Sequence, residues 1–303
     1  MEISRPILSR IPHDCDGYYD FYTYNSLLKA IEEMSKIEVE VYQLVGHNYM
    51  HRIVWRNKIT GVSRSIVNND DYLNQRQWSE ERLVGKVDYA DFCNYGDLET
   101  RKQEMAAFLA NIAKETTGQG ATETTKRWGL YYREEQEWHC GWTNRLGYVN
   151  QFVNPRYPPT RGKSYHGRGP MQITHNVNYG QLSEFLYGDK QILLDDPDKI
   201  VPRSGDATVA FMTAIWFWMT PQAPKPSCHA VMTDKWVPTQ DDIKNGRTRS
   251  KFGATINVIN GGLECNGQNR VAVEDRVAYY RRFCGLLGIT PEENPHCHNM
   301  SPW

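Results

Sequence analysis

The sequence has little charge imbalance. Thirty-five Lys and Arg face 36 Asp and Glu, a formal charge of −1, so neither nucleic acid nor an anionic membrane surface is an expected partner. It lacks a long apolar run. The most hydrophobic stretch, "ATVAFMTAIWFWM" over 207–219, is too short to span a bilayer and reads as a helix buried on all sides. No apolar segment follows Met1, so no signal peptide is expected within this chain. Internal repeats and low-complexity tracts are absent. So are C-x-x-C pairs and the Cys/His spacings of zinc sites, and "DCDG" at 14–17 lacks the further oxygen ligands of a calcium loop. Neither a metal nor an organic cofactor is expected. The seven cysteines (15, 93, 140, 228, 265, 284 and 297) are an odd number. They are either disulfides plus at least one free thiol, or all thiols.

What is present is ordinary globular composition, 40% apolar and 23% charged, in 303 residues, enough for a sizeable core. Nine tryptophans and 18 tyrosines serve either that core or a binding groove. Leu27, Leu28, Ile31 and Met34 fall at helical spacing over 21–34. "KIEVEVYQLV" then alternates Ile37, Val39 and Val41 against charged residues, a strand signal, with Asn57 to Gly61 as a turn between two further short strands. Residues 37–96 thus read as a small β-rich insertion, irregular from 71 on, lacking a long apolar face of its own and packing on the main lobe. Helical patterns resume at 100–115, 177–187, 206–219 and 274–287, the last ending before Gly288 as a C-cap would. A mainly α domain spanning 1–303, with long loops at 138–170 and 220–250, is expected.

The helix "AAFLANIAKE" ends on Glu115 amid small polar residues, where the negative end of the helix dipole disfavours an anion. A carboxyl buried there would favour its protonated form, as a general acid requires; a solvated glutamate on a fraying end is the plain alternative. "YYREEQEWH" over 131–139 carries Glu134, Glu135 and Glu137, either a solvated face or the partner of Glu115 across a groove. Two facing carboxyls are the minimal machinery for hydrolysing a glycosidic bond. In "SYHGRGPMQITHNVNYG" over 164–180, Gly167 and Gly169 bracket Arg168 and allow close backbone approach. Gln172 and Thr174 then share one face of an extended piece, opposite Met171 and Ile173, and Asn176 and Asn178 follow. Such a wall of amides and hydroxyls suits a neutral polyhydroxylated ligand; a Gly-Pro turn leading into a capped helix is the alternative.

"FYTY", "AAFLANIAKETTG", "GRGPMQITHNVNYG", "TAIWFWMTPQAPKPSCHAV" and "INGGLEC…DRVAYYRRFCGLLG" together resemble, in order and spacing, the glycoside hydrolase family 19 chitinases. The likeness covers most of 15–36 and 97–300. It implies a two-lobed, lysozyme-like, mainly α-helical fold that cleaves β-1,4 bonds between N-acetylglucosamine units with inversion, as an endo-chitinase. By the same resemblance, Glu115 is the acid and Glu135, seven residues after Trp128, the base. Thr174 takes the place of the hydroxyl that holds the attacking water. Gln172, Asn178, Lys225, Asn260 and Tyr165 match sugar-binding positions. Glu264 and Arg276 match a charge pair beside the acids, expected to keep Glu135 ionised while Glu115 keeps its proton. Cys265 and Cys297 match a family disulfide.

The departures are specific. Lys114 stands where the family has histidine, Gly118-Gln119 where it has Gly-Gly, His166 and Val177 where it has aromatics, and Tyr131 where it has a cysteine. The 37–96 stretch has no counterpart in the resemblance. A peptidoglycan-cleaving muramidase is the alternative within enzymes. A non-hydrolytic chitin-binding protein is the alternative outside them, though the presence of both glutamates argues against it. The expected setting is secreted or extracellular, with chitin or chito-oligosaccharides as partner and the protein a monomer.

Overall fold

The computed structural model describes residues 21–117, 129–135, 137, 138, 146–150 and 154–303. Cys15 and Cys140 lie outside them. Helix α1 (Tyr24–Ser35) starts where the Thr23 side chain accepts from the Ser26 N–H, and it buries Ala30 and Met34. Its stop at Lys36 leads directly into β1 (Ile37–Leu44), whose buried and half-buried positions alternate as its sequence does. β2 (His47–Asn57) and β3 (Ser63–Val67) follow, then the short α2 (Asp71–Gln75) and β4 (Glu81–Asp88). The four strands form one antiparallel sheet in the order β3-β2-β1-β4.

β4 corrects the expectation of an irregular return after residue 71. Its register shifts where Tyr42 pairs with Leu83 and Val41 with Gly85, so Val84 is an extra residue in the strand. That bulge, with a glycine and no fully buried position on an edge strand, erased the alternation that would have announced it.

Helix α3 (Leu98–Glu115) is capped by the Asp97 side chain, which accepts from the Thr100 N–H. After it come α4 (Asn176–Tyr187), α5 (Gln191–Asp195) and the wholly apolar α6 (Thr208–Met219). The chain ends with α7 (Cys228–Met232), α8 (Gln240–Lys244), α9 (Lys251–Glu264) and α10 (Arg270–Leu287). Gly288 closes α10 in the left-handed conformation, φ +66°. α9 was not foreseen: "KFGATINVINGG" mixes β-branched residues and glycines, and Asn260 breaks its helical geometry at φ −143°, ψ 30°.

The core is mostly helix against helix. α3 packs on α10 and α1 on α6, with Phe108 edge-on to both Phe92 and Trp218, and Phe252 stacked on Tyr280 at 4.1 Å. Fully buried Glu104 of α3 accepts from Trp218 Nε1 (3.0 Å) and the backbone N–H of Cys93 (3.1 Å) and pairs with His229 Nδ1 (2.8 Å), so α3, α6 and α7 are held in register.

The sheet joins this same core through Val39, Val41, Ile53, Trp55 and Ile66. Its polar sutures run to one place: Tyr157 donates to Val67 O (3.2 Å), Asn154 to Asn68 O (2.6 Å), and Arg156 pairs with both Asp70 and Glu184. The sheet therefore rests against the segment that supports α4.

Candidate active site

Glu115 is the last residue of α3. Beyond it, Thr116 and Thr117 turn their hydroxyls back onto Ile112 O (2.6 Å), which also accepts from Thr116 N, and Ala113 O (2.5 Å), capping the helix end. Thr116 then receives the returning chain. Its hydroxyl accepts from Leu130 N (2.7 Å), and its carbonyl from Tyr131 N (3.2 Å) and Tyr132 N (2.9 Å). Gly129 makes that approach possible: its φ is +63°, and a Cβ would stand 2.3 Å from the Ala113 methyl.

Glu135 lies three residues past Tyr132, at most roughly 10 Å of extended chain. There the chain pairs with the glycine-bracketed segment: Glu135 N donates to Gly167 O (2.8 Å) and Gly169 N to Arg133 O (2.8 Å). Arg168 pairs in turn with Ile173. Residues 133–135, 167–169 and 172–174 thus form a three-layered ladder, with Glu135 and Thr174 on its outer pieces.

Alternation along the ladder separates neighbouring glutamates. Glu134 is 9% exposed and bonds His166 Nε2 at 3.0 Å, beside an Arg168 that also holds Asp198 at 2.7 Å. Burial, partly offset by Glu134, pushes His166 below the usual imidazole range. Glu135 points to the other side, half-buried, where Tyr148 donates to Oε1 (2.7 Å) and Gly167 N to Oε2 (3.4 Å). Two donors on two oxygens fix that carboxylate. Glu137 is exposed.

Gln172 and Thr174 are half-buried while Met171 and Ile173 are buried, as their alternation predicts. Gln172 donates to Gly169 O (2.9 Å), Thr174 Oγ1 to Gln172 O (2.7 Å), and Asn178 to Thr174 O (2.7 Å). With its proton committed to Gln172 O, the half-buried Thr174 hydroxyl has only lone pairs left to offer. Asn176, by contrast, is fully buried and ties Asn150 O and Tyr157 O, so it builds the wall from behind.

A second group surrounds Glu115. Arg276 of α10, 1% exposed, donates Nε and Nη2 to the two Glu264 oxygens (2.7 Å each), Nη1 to Asn111 (3.0 Å), and Nη2 also to Glu115. Burial opposes its charge, but Glu115 and Glu264 raise its affinity for the proton further still. Burial likewise opposes the Glu264 anion, and Arg276 overcomes this, holding Glu264 below the usual carboxylate range. Asn260, at the break in α9, donates to Glu264 (2.8 Å), and Lys225 reaches the neighbouring turn at Val258 O (2.9 Å).

Two expectations are corrected here. The Glu264–Arg276 pair was assigned to the ionisation of Glu135, but it bears directly on Glu115, while Glu135 is served by Tyr148 and Gly167. Tyr165 was expected to meet the sugar. It is fully buried, donating to Leu194 O (2.9 Å) and accepting from Thr160 N (2.8 Å), so it has no face to offer a ligand. The Cys265–Cys297 disulfide is present, with Cα atoms 5.0 Å apart.

Tyr148, Asn111 and Gly129 escaped notice. Each is a single residue whose role depends on a distant segment, so no local spacing could have marked it.

Comparison with known proteins covers both the fold and these residues. The chain resembles a class IV chitinase of family GH19 from Zea mays in fold, at 24% identity and TM-score 0.53 over 95% of this chain and 92% of that one. A bacterial family 19 chitinase matches at 27% identity and TM-score 0.53, over 93% and 94%. Chitinase 3 of Oryza sativa subsp. japonica is 43% identical over 217 residues, 71% of this chain and 63% of that protein. Endochitinase CH25 of Brassica napus is 41% identical over 214 residues, 70% and 62%. The chain thus matches less than two thirds of the length of those relatives. The family profile described as chitinase class I matches residues 66–297, from the end of β3 through the disulfide, taking in every residue placed in the site above. By that match the chain belongs to glycoside hydrolase family 19.

Proposed function

We propose that the protein is an inverting endo-chitinase, cleaving β-1,4 bonds between N-acetylglucosamine units of chitin and chito-oligosaccharides. Glu115 is the acid that protonates the leaving oxygen. Glu135 is the base that takes a proton from water, and Thr174 positions that water through its remaining lone pairs. The single observation that supports this best is the frame joining the two carboxyls: the strand bearing Glu135 is hydrogen-bonded at its root to Thr116, the residue after Glu115. A frame that fixes both groups, with a hydroxyl-lined ladder beside the base, suits direct displacement by a held water.

In this reaction the water attacks the anomeric carbon as its proton passes to Glu135, and the glycosidic C–O bond breaks as its oxygen takes the Glu115 proton. Electrons and atoms balance without metal or organic cofactor. Glu264 matches the Arg276 charge, so Glu115 meets a guanidinium already paired. Gln172, Asn178, Lys225 and Asn260 offer amide and ammonium donors to the sugar hydroxyls and acetamido groups. The disulfide supports an oxidising, extracellular setting. Among the described residues no helix is long and apolar enough to cross a membrane.

Proton NMR of freshly hydrolysed chito-oligosaccharide tests the mechanism, with the α-anomer expected first; a β-anomer refutes inversion. Glu115→Gln and Glu135→Gln are each expected to lower turnover by at least about 100-fold with the fold intact. Full activity in Glu115→Gln refutes the assignment. Loss of turbidity in a cell-wall suspension without soluble product from colloidal chitin would replace chitin by peptidoglycan as substrate.

A further inference from the structure

On the far side of α10 from the acids, two imidazoles and a carboxylate converge. Glu274 Oε1 stands 3.1 Å from His298 Nε2 and 3.5 Å from His296 Nδ1, and all three ligand atoms lie within 4.8 Å of one another. Glu274 and Arg276 are two positions apart on the helix, about 200° of rotation, so this cluster and the Arg276 hub occupy opposite faces.

The backbone beneath the imidazoles is locked. His296 and His298 flank Cys297, which is bonded to Cys265. The Cys297 carbonyl accepts from Asn266 N and Met300 N (3.1 Å each), and His296 O sits where a Cβ on Gly253 would come within 2.4 Å. Alternation about Cys297 brings both rings to one side, stacked at 4.9 Å.

Protons alone satisfy this cluster poorly. One carboxylate oxygen faces two imidazoles. Protonating both rings would stack like charges 4.9 Å apart. His296 Nδ1 is shielded from solvent and has no hydrogen-bond partner among the described residues. A divalent cation resolves this, because it takes lone pairs from neutral imidazoles and a carboxylate together.

We propose that Glu274, His296 and His298 form a binding site for a borderline transition-metal ion, Zn²⁺ by preference, with solvent completing its coordination. Ligand atoms around tetrahedral zinc stand about 3.4 Å apart at bond lengths near 2.1 Å, so the 3.1 and 3.5 Å separations already approach that spacing. The donor set excludes Ca²⁺ and Mg²⁺, which want several hard oxygens. The ion braces α10 to the C-terminal tail, beside the disulfide that ties the same tail to the end of α9.

The test uses the full chain, free of any purification tag and treated with EDTA. Calorimetric titration with Zn²⁺ is expected to show saturable one-to-one binding and a raised melting temperature, with Ca²⁺ and Mg²⁺ inert. Co²⁺ should give visible absorption from imidazole and carboxylate ligation. Glu274→Gln and His298→Ala should each weaken Zn²⁺ binding at least about tenfold, and His296→Ala/His298→Ala should abolish it. Glu274 is exposed, so Glu274→Gln should melt with the metal-free parent and serves as the folded control. Absence of saturable binding by the parent, or unchanged affinity in these variants, overturns the proposal.

Discussion

Replacing Arg276 with methionine isolates the charge network behind Glu115. The guanidinium is 1% exposed and donates to Glu264, Glu115 and Asn111, while Glu264 itself is 4% exposed. Methionine fills similar space, so the main effect is an unpaired buried anion, worth about 3–5 kcal/mol of stability at pH 7. Adding Glu264→Gln removes that anion and should recover about 2 kcal/mol or more. The two variants therefore couple strongly in a double-mutant cycle read by urea unfolding. Their pH dependences have opposite signs. In the parent, Glu264 is held below its ordinary value, so the stability from this pair is complete above about pH 4.3 and is lost as the pH falls through the depressed value. In Arg276→Met burial is opposed only by the Asn260 hydrogen bond and the Lys114 charge, both weaker than it, and lifts Glu264 above that value. The penalty is then present at pH 7 and relieved on acidification towards pH 5, and Glu264→Gln erases the recovery. A loss below about 1 kcal/mol, or a gap between parent and Arg276→Met that stays constant from pH 7 to 5, refutes this account.

Glu134→Gln should cost roughly 1–3 kcal/mol, through its bond to His166, while leaving kcat within about threefold, the reverse of Glu135→Gln; thermal melts beside initial rates distinguish them. Gly129→Ala forces a side chain onto Ala113 at a positive φ and should destabilise the protein by roughly 2–5 kcal/mol in chemical denaturation. Cys265→Ser/Cys297→Ser opens a link across 32 residues and should cost about 3–4 kcal/mol by loop entropy, measured by urea unfolding of non-reduced protein.

Local periodicity carried the α3 and α10 helices, the β1 alternation and the opposed faces of Met171–Thr174, because each depends only on neighbours in the chain. β4 and α9 were lost for local reasons too: a bulge at Val84 and a break at Asn260 disrupt the very repeat by which an element is recognised. The site was legible in its members and not in its wiring. Arg276 is plain in the sequence as a helical arginine, yet that it faces Glu115 instead of Glu135 depends on how α10 lies on α3. Tyr165 shows the same limit from the other side: a tyrosine in a glycine-rich loop reads as a ligand contact until Leu194 and Thr160 close over it.

The three hydrogen bonds that Leu130, Tyr131 and Tyr132 make to Thr116 carry an evolutionary consequence. They bring residues 116 and 130 together at the root of everything encoded between them. For loops in general, each doubling of length between fixed ends costs only about 0.6 kcal/mol. The spacing of Glu115 and Glu135 is set at the root, so the intervening sequence is free to vary in length and composition without moving either carboxyl. Insertions and deletions in that stretch can therefore accumulate one at a time while the frame that carries the two carboxyls stays constant.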